Sequence, residues 1–154
     1  MPEKNNPTSK DGVSAANEAF VPIMRELVRA YQAFADYSDK HIRELGLTPS
    51  QFDVIATLGN TEGMSMTDLA EKTLVTKGTL TGIIDRLEKK ALVARIVPPE
   101  NRRSFTIVLT PEGEKTFNLV FPAHIAYLKE RFDRLLPREL EQIGQGLETL
   151  RKLF

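Results

Sequence analysis

Cysteine is absent from all 154 residues, which excludes disulfides, thiolate metal sites and thiol-based redox sensing by this chain. No apolar run approaches the ~18 residues of a membrane-spanning helix. The polar start MPEKNNPTSK has no apolar stretch behind it, so a cytoplasmic protein without membrane attachment is expected. Histidine is scarce. With only His41 and His124, a transition-metal site would have to rely on carboxylates, and no metal or cofactor is expected. Catalytic signatures are missing as well: there is no P-loop, no GxGxxG followed by the expected acid, no HExxH and no nucleophile elbow. The Asp and Glu residues fall on helical faces, where i to i+4 pairing explains them, so no enzyme is expected.

Net charge is also lacking, because 21 Lys and Arg balance 21 Asp and Glu. The balance is not local. Residues 1–76 hold 7 basic against 11 acidic side chains (−4), residues 77–110 hold 7 against 3 (+4), and residues 111–154 hold 7 against 7. A neutral chain thus keeps a basic segment, as a nucleic-acid binder requires. With 41% apolar residues, the chain can bury a core as one compact unit, or as one lobe plus an assembly arm.

The apolar periodicity is mostly helical. Phe20, Met24, Leu27, Tyr31 and Phe34 recur every three or four positions, and Ile42 and Leu45 extend the pattern to Gly46. Pro22 either occupies a first turn or kinks a helix that starts near Ser14. Thr48-Pro49-Ser50-Gln51 supplies a capping residue, proline at the first helical position and a capping-box glutamine, opening a helix to about Gly59 that buries Phe52, Ile55 and Leu58. Ser65 to Asp68 caps a helix of barely two turns, and Leu74-Val75-Thr76 is a turn after which Thr76 can cap a helix from Lys77 to Lys90.

That last helix divides into two faces. Leu80, Ile83, Ile84 and Leu87 form one apolar stripe; Lys77, Gly78, Thr81, Gly82 and Asp85 fall roughly opposite, with Thr79 and Arg86 at the margins. A helix that enters the major groove needs this division, since short polar side chains and glycine admit base edges while the buried stripe fixes its angle. Ala91 to Val97 and Ser104 to Leu109 then read as strands around the tip Asn101-Arg102-Arg103, a hairpin. Adjacent arginines at a hairpin tip suit the minor groove. The order helix, turn, helix, hairpin predicts a winged helix-turn-helix that binds duplex DNA.

At the C-terminal end, Thr110-Pro111-Glu112 starts a helix that Pro122 is expected to bend before Phe132 and Leu136. After Pro137, Leu140, Ile143, Leu147, Leu150 and Phe154 are spaced by alternating threes and fours, a two-heptad seam. Core packing within one subunit or a partner helix would both satisfy it. Together with the apolar first helix it favours a homodimer that sets two recognition helices roughly 34 Å apart on a palindrome.

Leu-Thr at 47–48 after Gly46, DLAEK at 68–72, DRLEKKALV at 85–93, the paired wing arginines and LTPEG at 109–113 together resemble the MarR family of bacterial transcriptional regulators over about residues 20–120. The resemblance implies a fold mainly α with a small β-hairpin (α+β), a winged lobe plus a helical dimerisation region. The expected divisions are a disordered tail over 1–12, an N-terminal dimerisation helix over 13–46, the DNA-binding lobe over 47–110, and C-terminal dimerisation helices over 111–154. It further implies a homodimer that usually represses transcription and is often released by a small phenolic or other aromatic acid.

Position by position, the resemblance assigns Thr76, Lys77, Thr79, Thr81 and Arg86 to the recognition surface and Arg102 and Arg103 to the wing. Its effector pocket, between the dimer arm and the winged lobe, would be lined by Phe20, Met24, Tyr37, His41, Phe52 and Arg95. One position departs from the family. Wings of this kind commonly carry Asp before the two arginines, where a carboxylate could hold one guanidinium in a charged contact; Asn101 offers only a neutral bond, and wing rigidity stays open. Two other readings also fit the residues. One is a DNA-binding regulator without an effector, which a ligand screen would separate. The other is a winged module that binds protein, which would lack the steep salt dependence of phosphate contacts.

Overall fold

Side-chain hydroxyls cap the starts of three helices. The computed structural model describes residues 9–154 except Leu74, with the side chains of Ser9, Lys10, Asp11 and Lys77 also outside the described residues. The part of the expected tail over 1–8 lies outside them too. Helix α1 (Ser9–Ala16) occupies the remainder of that tail, and a turn at 17–20 separates it from α2 (Val21–Glu44). The single helix expected over 13–46 is therefore two. Pro22 sits in the first turn of α2, where its missing N–H breaks no helical bond.

Helix α3 (Pro49–Leu58) has the full capping box: Gln51 N–H donates to Thr48 Oγ1 at 3.2 Å and Thr48 N–H to Gln51 Oε1 at 3.1 Å. It buries Val54, Ile55 and Leu58 completely, whereas Phe52, expected in that core, is only partly covered. Strand β1 (Met64–Ser65) leads into α4 (Met66–Lys72), capped by Ser65 Oγ accepting from Asp68 N–H at 3.1 Å. Helix α5 (Lys77–Lys89) is followed by β2 (Val93–Ile96), shorter at both ends than the sequence suggests, and β3 (Thr106–Leu109), shorter only at its start. The sheet order is β1-β3-β2, all antiparallel, with Met64 opposite Ile107 and Arg95 opposite Ile107 from the other side. Strand β1 is too short to show a period and was not foreseen.

Helix α6 (Pro111–Phe132) continues through Pro122 as one element, and α7 (Pro137–Arg151) follows. The chain divides into two compact units, Met1–Tyr37 and Ser38–Phe154. Within the second, Leu69, Leu80, Ile84, Leu87 and Ile107 are fully buried, and Phe117 and Val120 of α6 join the same cluster. The winged lobe thus borrows part of its core from the helix expected to serve assembly. Among the described residues no helix is long and apolar enough to cross a membrane.

Candidate nucleic-acid interface

Helix α5 is fixed from behind. Leu80, Ile83, Ile84 and Leu87 are each at most 2% exposed, so rotating the helix would pull four large side chains from the core at roughly 1.5–3 kcal/mol apiece. The opposite side presents Thr79, Thr81, Asp85 and Arg86 to solvent. The side chain of Lys77 lies outside the described residues, although its backbone opens the helix. Thr76 stands at the N-cap but its hydroxyl makes no cap bond to the backbone; it lies 3.0 Å from the Thr79 hydroxyl. This corrects the capping role expected of Thr76. It leaves the first amides of α5 without a side-chain acceptor, at the helix end whose dipole attracts anions.

The wing tip is held by Asn101 itself. Its side-chain Oδ1 accepts from Arg103 N–H at 3.1 Å, its own N–H donates to Pro98 O at 3.1 Å, and its carbonyl accepts from Ser104 N–H at 3.4 Å. An amide oxygen accepts a backbone N–H as an Asx turn requires. The departure from Asp therefore does not cost the tip its turn, because the bond runs to main chain and not to a guanidinium. Arg102 and Arg103 are both exposed beyond it.

The base of the wing is closed by an interlocking set of bonds. Helix α5 ends in a Schellman motif, with Leu92 N–H donating to Leu87 O at 3.0 Å and Ala91 N–H to Glu88 O at 2.8 Å. Ala91 takes the left-handed conformation there, φ 59°, a position that favours glycine. Thr110 then ties the far strand back: its N–H donates to Leu92 O at 3.1 Å and its hydroxyl to Ala91 O at 2.5 Å. The same hydroxyl accepts from Gly113 N–H at 3.0 Å and so caps α6. A Cβ at Gly113 would collide with the Leu92 carbonyl, which explains the Leu-Thr-Pro-Glu-Gly exit physically.

The expected effector residues fall in both units. Phe20 and Met24 are exposed in the first unit, of which Tyr37 is the last residue. In the second unit His41 and Phe52 meet around His124, a residue to which the sequence pattern assigns no site. His41 Nδ1 lies 3.0 Å from His124 Nδ1, and Ser38 Oγ lies 3.0 Å from His124 Nε2. Tyr127 stacks on His41 at 4.0 Å, and Phe52 meets the His124 ring edge-on at 4.8 Å. Burial of His124 holds its pKa below the usual imidazole value, nearby His41 lowers it further, and Asp39 opposes both. A signal for this cluster was available: Phe117, Phe121 and His124 fall on one face of α6. Arg95 is elsewhere. Its guanidinium forks between Glu88 and Asp85, the latter at 2.6 Å, and its N–H donates to Glu88 Oε1 at 3.2 Å.

Comparison with known proteins matches the same part of the chain. The model of the MarR family matches residues 47–105, and the HTH-type transcriptional regulator MhqR of Bacillus subtilis is 32% identical over 124 residues, covering 80% of this chain and 86% of the relative. The chain belongs to the MarR family. As a MarR-family protein it is a DNA-binding transcriptional regulator and not an enzyme. Among solved structures, the MarR family regulator AbsC of Streptomyces coelicolor superposes with a TM-score of 0.77 at 26% identity, covering 97% of each chain. BpsR of Bordetella bronchiseptica, whose DNA binding is regulated by 6-hydroxynicotinic acid, has a TM-score of 0.74 at 28% identity, covering 84% of this chain and 98% of its own.

Proposed function

We propose that this regulator acts as a homodimeric repressor of a palindromic operator, released by a small aromatic or phenolic acid. Thr76, Lys77, Thr79, Thr81 and Arg86 meet the major groove and its flanking phosphates, while Arg102 and Arg103 enter the minor groove. The observation that carries the DNA reading is helix α5: four buried anchors behind, short polar side chains in front and an uncapped N-terminus. Support for the dimer comes from α7, where Leu140, Ile143 and Leu147 are 42–53% exposed and no residue is buried. Support for an aromatic acid comes from the Phe52, His41 and Tyr127 rings around a buried histidine, and from the ligand of BpsR.

A regulator without an effector is the second reading, and Arg95 favours it. The guanidinium expected to meet a carboxylate ligand already faces two carboxylates of its own chain. Footprinting on the DNA upstream of the chain's own gene, with and without a panel of hydroxylated aromatic acids, tests both readings. A symmetric protected region that an acid abolishes is expected. An asymmetric footprint would overturn the palindrome, and protection unchanged by every acid would favour the second reading.

A further inference from the structure

We propose that Arg95 is a positioning residue for DNA binding: it fixes the wing against the recognition helix, so that Arg102 and Arg103 reach DNA in a set register with α5. The inference rests on reading the wing as a DNA contact. Alternation along β2 puts Arg95 on the same side as Val93, which is 2% exposed against the core. From there its planar fork bridges two carboxylates one turn apart on α5, Asp85 and Glu88, and its backbone N–H adds a third bond to Glu88. The Arg95 side chain is only 21% exposed, against 51% for Asp85. The contact thus closes a triangle between helix and strand directly below the tip, since the ladder ends one residue later at Ile96 opposite Thr106. Lysine would keep the charge but could not span both carboxylates with the same geometry.

The wing residues of the tip lie beyond this rung and share no bond with it, so an independent Arg95 would give additive effects with Arg102. A double-mutant cycle decides the matter, with binding to the upstream fragment measured at one fixed salt concentration and folding followed by thermal melting. In the parent, Arg102→Ala is expected to weaken binding by ~5- to 100-fold, the range of one good groove contact. In the Arg95→Lys background the same change is expected to cost less than ~3-fold, because the wing no longer holds its arginine in register. Asp85→Asn, which cuts the triangle from the helix side, is expected to reduce the Arg102 effect in the same way. Equal Arg102→Ala losses in all three backgrounds would overturn the positioning role while leaving the wing contact standing. Absence of any loss in the parent for both Arg102→Ala and Arg103→Ala would overturn the wing contact, and the proposal with it.

Discussion

Helices α5 and α7 carry the same kind of apolar spacing and end in opposite states. In α5 the stripe Leu80, Ile83, Ile84, Leu87 disappears into the core, whereas in α7 the stripe Leu140, Ile143, Leu147 stays open along a helix with no buried residue. The spacing of three and four therefore tells that a helix has an apolar face. It does not tell which chain covers that face. For α5 the cover is α3, α4 and β2 of the same chain; for α7 it is the second copy of the proposed homodimer. Phe154, counted into the seam from the sequence, lies past the end of α7 and is fully exposed.

The comparison can be broken most directly by putting a charge into each stripe. Ile84→Asp is expected to unfold the chain, because an unpaired buried carboxylate outweighs marginal stability. Ile143→Asp is expected to leave the helical signal intact, convert the dimer to monomer in light scattering and weaken operator binding by ~100-fold or more through lost bivalency. A folded Ile143→Asp dimer with parental affinity would place the assembly surface elsewhere. Next in size, Arg102→Ala or Arg103→Ala is expected to cost ~1–3 kcal/mol of operator binding with little change in melting temperature. Titrations that return parental affinity for both variants would remove the wing from the interface.

A smaller effect sharpens the description of how α5 ends. Ala91→Gly relieves a left-handed alanine and is expected to stabilise the fold by roughly 0.5–1 kcal/mol in denaturant unfolding. A loss of stability would show that the Schellman turn does not control that end. The smallest effect concerns His124. Its folded pKa is depressed, so the unfolded chain binds the proton more readily; stability is full above about pH 6.5 and declines as pH falls through the lower folded value. Unfolding midpoints are expected to drop between pH 7.5 and 5.5 in the parent and to flatten in His124→Gln. An equal slope in both proteins would assign the acid sensitivity to other groups.

Much of the fold was readable because local chemistry and tertiary packing agree. Thr48, Ser65 and Thr110 each cap the helix their sequence context announces, and the α5 stripe is buried as its period requires. The misreadings arose where a residue's local option lost to another partner. The Thr76 hydroxyl lies against Thr79 and not on the backbone, and Arg95 turns to α5, a contact that no spacing rule along β2 encodes. The two-residue β1 is visible only through its pairing with β3. The break at 17–20 carried no glycine, only Pro22 just beyond it, which fits either a kink or a fresh start.

The clasp at Thr110 has a consequence for how such a regulator changes its target. The wing is closed at its root by bonds to Ala91 and Leu92, none of which involves the segment 97–105. Changes in its length or sequence are therefore expected to leave the helix junctions that Thr110 secures in place. If the tip meets DNA as proposed, preference for a target can change through this segment while the frame that presents it stays constant.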